Sequence, residues 1–208
     1  MASAGSSFPG STNSLSVIGP QYCTPYPIDL RIVKKVMTIS DGNFVVTDSA
    51  GNILFKVKGV LLTFIHQRRH LLDAAGIPIV TLQSKAMTAH CRWQAFRGES
   101  NDPNNLMFSA KTSSILFVKT KLHVFLAHNT KEDVCDFRVE GSWLERSCKI
   151  YIGESSTVIA EMHKKHTLQS ILVGKDNYMV TVHPNIDYAF IVALIVILDE
   201  INHTGQQS

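Results

Sequence analysis

His66 and His70 lie four residues apart, and His163 and His166 three apart. On a helix either pair would share one face and could ligate a metal together. Both pairs instead sit beside strand-like turns, and no H-E-x-x-H pattern occurs, so they read as surface histidines among basic residues. No D-x-D-x-D-G loop offers oxygens to calcium. A cysteine or serine nucleophile needs a base oriented by a third group. No G-x-S-x-G elbow is present, and the glycines are isolated in turns rather than gathered into a phosphate-cradling loop. The chain is therefore expected to have no catalytic, cofactor or metal site and not to be an enzyme.

Basic clusters remain. Arg31, Lys34 and Lys35 surround one strand, and His66, Arg68, Arg69 and His70 form a dense stretch. Met162-His163-Lys164-Lys165-His166 forms another. If two clusters meet on one face they make a site for phosphates. Arg68, Arg69, Lys164 and Lys165 are accordingly the candidate contacts for an anionic ligand, with ordinary solvated charge as the alternative. Net charge is +3 and the pI near 8.7, mildly basic and compatible with an anionic membrane surface. Aromatic residues are not interleaved with the clusters, which disfavours direct nucleic-acid contact.

The elements that must carry these residues are short strands and one helix. Tyr188–Leu198 is apolar throughout, and a helix apolar on every face must be buried in a core or in lipid. Its residues rise about 16 Å at 1.5 Å each, too short for a hydrocarbon core of about 30 Å. Asp187 precedes the run, Asp199 and Glu200 follow it, and no Lys or Arg flanks it. The helix is thus expected in a protein core, capped by Asn185 or Asp187, with no transmembrane span.

Upstream, hairpins are expected at 44–57, 70–82 and 150–160, each a strand, an acidic or glycine turn, and a strand. Further strands are expected at Ile32–Ile39, Cys91–Phe96, Met107–Lys111, Ile115–Thr120, Leu122–Ala127, Cys135–Val139 and Tyr178–Val182. Strands closed into a barrel leave no edge, and a central helix can fill the lumen. Trp93 and Trp143 read as core, with alternation placing Cys91 and Trp93 on one face. Residues 1–20, rich in Ser, Gly and Pro, read as a flexible tail, 21–203 as the domain, and 204–208 as a second tail. Cys23, Cys91, Cys135 and Cys148 form no C-x-x-C pair, and no secretory leader is evident. Reduced, mostly buried thiols and an intracellular location are expected, cytoplasmic or peripheral at a membrane, with the nucleus open.

Several segments together resemble the plant LURP-one-related proteins. They are Tyr22-Cys23-Thr24-Pro25-Tyr26-Pro27, Ser40-Asp41-Gly42-Asn43-Phe44, Gly51-Asn52-Ile53-Leu54-Phe55-Lys56-Val57 and Trp93-Gln94-Ala95-Phe96-Arg97-Gly98. Cys135-Asp136-Phe137-Arg138-Val139, Gly141–Cys148, Gly174–Tyr178 and Asp187–Ile191 extend the likeness, which runs from about Tyr22 to Ile201. The resemblance implies a mainly β, tubby-like fold: a closed barrel of about twelve strands around a buried, hydrophobic C-terminal helix. It also implies kinship with tubby proteins, which bind phosphoinositides and have been proposed as membrane-tethered transcription regulators, and with phospholipid scramblases. Some LURP-one-related proteins are associated with plant defence. The function so implied is a non-enzymatic binding or regulatory module with an anionic phospholipid, a phosphoinositide or a protein as partner. A protein-interaction scaffold with no lipid activity is the alternative. Scramblases carry an Asp-x-Asp-Asn-aromatic calcium segment before their last helix. Here Gly174-Lys175-Asp176-Asn177-Tyr178 lacks the first carboxylate and adds a positive charge, so a calcium-dependent scramblase is the reading least favoured.

Overall fold

A computed structural model describes residues 14–34, 44–63, 66–85, 91–116, 119–164 and 178–204. Twelve strands follow in chain order: β1 (Ile28–Lys34), β2 (Phe44–Thr47), β3 (Ile53–Thr63), β4 (His66–Asp73), β5 (Pro78–Lys85) and β6 (Arg92–Arg97), then β7 (Leu106–Leu116), β8 (Lys119–Leu126), β9 (Phe137–Gly141), β10 (Lys149–Ile152), β11 (Val158–Lys164) and β12 (Tyr178–Val182). Each pairs antiparallel with its sequence neighbours, and β1 closes the barrel by pairing with both β2 and β12. Ile32 stands opposite Val46 on one side and Tyr178 on the other. Closure leaves no free edge to template aggregation. The three expected hairpins are present, and Gly51 and Gly76 turn the first two with φ of +93 and +94.

The expected strand at Ile115–Thr120 is not a single element. Ile115 and Leu116 end β7, and Lys119 and Thr120 begin β8, so the segment straddles a hairpin and Ile115 stands opposite Thr120. β-branched composition marked both arms but could not reveal where one strand ends and the next begins, because no Gly, Asn or Pro lies between Leu116 and Lys119. β1 begins at Ile28, earlier than the Ile32 expected, and residues 35–39 of that expectation lie outside the described residues.

Helix α1 (Tyr188–Thr204) fills the lumen. From Ala189 to Leu198 no residue exceeds 2% exposure, so the helix is core rather than a membrane anchor. No helix among the described residues is long and apolar enough to cross a membrane. Alternation turns Phe55, Val57, Leu71, Leu82, Ala95, Phe108, Leu122 and Val180 inward to meet it. The helix extends past the apolar run to Thr204, and Arg69 of the barrel wall supplies a cation for Glu200. Trp93 and Trp143 are both in the core, as their sequence context suggested.

The topology gives the barrel two distinct ends. Tyr188 packs on Phe55 and Tyr22, with ring centroids 5.7 and 5.6 Å apart, near the starts of β3 and α1. This is the proximal end, where the chain enters. Glu200 meets Arg69 near the start of β4, at the distal end where α1 finishes. Odd-numbered strands therefore run toward the distal end, and even-numbered strands run back.

The proximal end is closed by the segment from Ser14 to Pro27. Leu15 bridges Ile186, Cys23 bridges Asp187, and Ile18 is 5% exposed in the core. The chain is thus anchored before the tail boundary expected at residue 20. The tether is a side chain whose role spacing alone could not reveal. Asp187 is fully buried, and its Oδ2 accepts from the backbone N–H groups of Val17, Ile18 and Gly19 at 3.0, 2.7 and 3.0 Å. Its Oδ1 accepts from Phe190 N at 3.0 Å, which makes Asp187 the helix cap.

Candidate functional site

Strand alternation takes the basic stretch of β4 apart. Arg69 points into the barrel and grips Glu200, with Nε donating to Oε1 at 2.6 Å and Nη2 to Oε2 at 2.9 Å. Arg68 lies on the outer face and donates from Nη2 to Gln83 at 3.2 Å. His70 is buried rather than at the surface as expected. Its Nδ1 lies 3.1 Å from the Thr81 hydroxyl, which itself donates to the Gly98 carbonyl. Burial pushes the His70 imidazole below its ordinary value, so the uncharged ring is favoured. Arg68 and Arg69 therefore do not form one patch.

Lys164 is the last residue of β11, and Lys165 lies outside the described residues. β4 and β11 are five steps apart around the barrel, so Arg68 and Lys164 occupy different parts of the wall. Both nevertheless belong to the distal end. Along the chain, residues 174–177 of the segment compared with a calcium loop also lie outside the described residues.

What gathers at that end is a set of strand termini. Lys34 ends β1, Lys85 ends β5 and Lys164 ends β11, while Arg92 begins β6, Lys119 begins β8 and Lys149 begins β10. None of the strand termini at this end is Asp or Glu. The proximal termini carry no lysine. Lys85 is exposed, and Lys149 reaches Glu161 at 3.0 Å. Lys121, two residues into β8, lies 3.5 Å from Glu140. Arg92 is tied up by Glu132, together with Lys111 and Ser109. The lysine positions are thus spread over strand termini around the barrel rather than gathered in one stretch of chain.

Sequence reasoning named Lys34 and Lys164 but missed Lys85, Lys119 and Lys149. The signal was a lysine at a strand boundary, and it becomes legible once strands are counted and their direction assigned. Elsewhere, a cleft of about 470 Å³ opens at the proximal end between Ser16, Val17, Arg97, Asn105, Met107 and His128. Arg97 also donates to the Ile18 carbonyl at 3.0 Å, so it helps to hold the N-terminal segment.

The described thiols are all free. Cys135 and Cys148 are buried, Cys23 is half-buried, and Cys91 is exposed. Cys91 does not share the buried face of Trp93, because β6 begins one residue later and alternation does not extend to it. Burial pushes the Cys148 thiol up to about 12 and the Cys135 thiol up to about 11, which suits packing rather than nucleophilic chemistry. Among the described residues no three His, Cys, Asp or Glu side chains converge as a metal ion would require.

Residues 28–199 match a family model described as LURP-one-related. Among known proteins, LURP-one-related 15 of Arabidopsis thaliana is 58% identical over 89% of this chain and 85% of its own length. LURP-one-related 10 from the same plant is 54% identical over 93% of this chain and 100% of its own. LURP1 is 50% identical over 91% of each. An X-ray structure of an Arabidopsis thaliana protein superposes with a TM-score of 0.72 at 50% identity, covering 90% of this chain and 98% of that one.

Proposed function

This chain belongs to the LURP-one-related family, with its tubby-like barrel, and from that premise we propose that it is a non-enzymatic module whose distal end docks on an anionic, phosphate-bearing membrane surface. The observation that carries the reading is the set of lysines at strand termini: Lys34, Lys85, Lys119, Lys149 and Lys164. A lysine close to an anionic leaflet contributes about 1 kcal/mol, and the attraction fades within a Debye length of roughly 8 Å at physiological salt. Lysines around one barrel rim can approach a flat surface together, whereas lysines scattered over the wall cannot. An intracellular, peripheral membrane position follows from this reading. Phosphoinositides fit the chemistry best, because each headgroup concentrates several charges within reach of a few lysines.

The test is co-sedimentation with neutral vesicles against phosphoinositide-containing vesicles, at low and physiological salt. Selective, salt-sensitive binding is expected. Lys85→Glu and Lys164→Glu should each weaken it by roughly tenfold. Arg69 is not a suitable probe, since reversing it would break the contact with Glu200 and disturb folding. Binding that ignores vesicle charge, or that survives both reversals unchanged, would overturn the proposal and leave a protein-interaction scaffold as the better account.

A further inference from the structure

The proximal end has the opposite chemistry. Its connections, residues 48–52, 74–77, 98–105, 127–136, 153–157 and 183–187, carry Asp48, Glu99, Asp102, Asp133, Asp136 and Glu154 besides Glu132 and the buried Asp187. Lys131 is the one lysine or arginine in those connections. Among the described residues, the large apolar side chains left exposed lie mainly at this end. Tyr26 precedes β1, Ile53 begins β3, Ile77 precedes β5, Val134 lies between β8 and β9, and Ile152 ends β10. Leu144, between β9 and β10, is the exception at the distal end.

Two of these residues flank the end of β4, one on each side. Phe55 stands opposite Asp73 across the β3–β4 ladder, Ile53 lies two residues before Phe55, and Ile77 is bonded to Asp73. Ile53 is 44% exposed and Ile77 61% exposed. Asp48 lies in the turn just before Ile53, and Asp73 just before Ile77. The nearby cation, Lys56, is turned onto the Ala74 carbonyl at 2.8 Å. Exposed apolar side chains framed by charges of one sign match an interface anchor with a polar rim.

We propose that the proximal end is a docking surface for a basic protein segment whose apolar side chains seat on Ile53 and Ile77. Charge complementarity selects the occupant. The carboxylates favour lysine- and arginine-rich partners and repel anionic lipid or nucleic acid. This inference concerns the end opposite the lysines and stands whether or not those lysines bind a membrane. If both hold, the barrel is an adaptor with a membrane at one end and a basic partner at the other.

The test uses the full chain and a synthetic amphipathic lysine–leucine peptide, with a lysine-only peptide of equal charge as control. Binding is read by fluorescence anisotropy and located by amide resonance shifts. The expected result is salt-sensitive binding that shifts residues of the 47–53 and 73–78 segments and is tighter for the amphipathic peptide. Ile53→Ser with Ile77→Ser should weaken it about tenfold, while Lys85→Glu leaves it unchanged. Both isoleucines are exposed, so these variants keep the fold. Equal affinity for the lysine-only peptide, shifts confined to another surface, or absence of binding would each overturn the proposal. So would concentration-dependent self-association of the chain that Lys85→Glu abolishes, because the surface would then belong to a second copy.

Discussion

Arg69 on β4 and Glu200 on α1, far apart in the chain, form a two-pronged ion pair at 2.6 and 2.9 Å inside the distal end of the barrel. Their side chains are only 11% and 6% exposed. Planar guanidinium matches planar carboxylate, so the pair fixes orientation as well as charge. It also places a cation by the negative end of the helix dipole, where Asp199 and Glu200 alone would be unfavourable.

Removing one partner leaves the other charge buried. Arg69→Met or Glu200→Leu is expected to lower stability by about 3–5 kcal/mol, whereas the double variant should recover much of that loss. Denaturant unfolding of the three variants supplies the cycle. A double variant no better than the sum of the singles would show that the two residues act separately.

Asp187 serves two segments at once, the helix it caps and the N-terminal strap it tethers. Asp187→Ala should strand buried N–H donors at about 1–3 kcal/mol for each one left unsatisfied. Hydrogen exchange is the sensitive readout. The Val17, Ile18 and Gly19 amides should lose protection before the barrel strands do. Retained protection at those amides would mean that the strap is held by the Leu15 and Cys23 bridges instead.

Acid dependence should centre on Glu132. Hydrogen bonds from Arg92 hold its carboxyl down to about 2 against an ordinary 4.5, helped by Lys111 and Ser109, while burial works the other way. The folded value lies below the unfolded one, so the native state binds fewer protons in this range. Its stabilisation is complete above the ordinary value and is lost as pH falls toward about 2. Glu132→Gln should therefore be less stable than the parent at neutral pH and show a shallower fall in melting temperature between pH 4.5 and 2. An unchanged slope would assign the acid sensitivity to other carboxylates.

Thiol reactivity should rank by exposure. Iodoacetamide at neutral pH is expected to label Cys91 first, with Cys135 and Cys148 reacting only on unfolding, because their thiols are buried and raised to about 11 and about 12. Mass spectrometry of the labelled peptides decides it. Early labelling of Cys148 would mean that the barrel opens at that site under native conditions.

The outline of the architecture was legible in the sequence. An apolar run too short to span a bilayer, among many short β-branched segments, favoured a core helix inside a wall of strands over a membrane anchor, and either Asn185 or Asp187 was legible as its cap, a choice the structure makes for Asp187. The family-like segments carried the strand number. What a segment's own residues could not decide was which side chains share a face or an end. His66–His70 looked like one basic patch, but period-two alternation in β4 sends Arg69 inward to Glu200 and Arg68 outward to Gln83, while His70, on the same face as Arg68, is buried beside Thr81. The lysines of the distal end are dispersed along the chain and share one end only because antiparallel closure brings alternate strand termini to one rim. That grouping is a property of strand direction summed over the whole barrel, so only the tertiary structure could decide it.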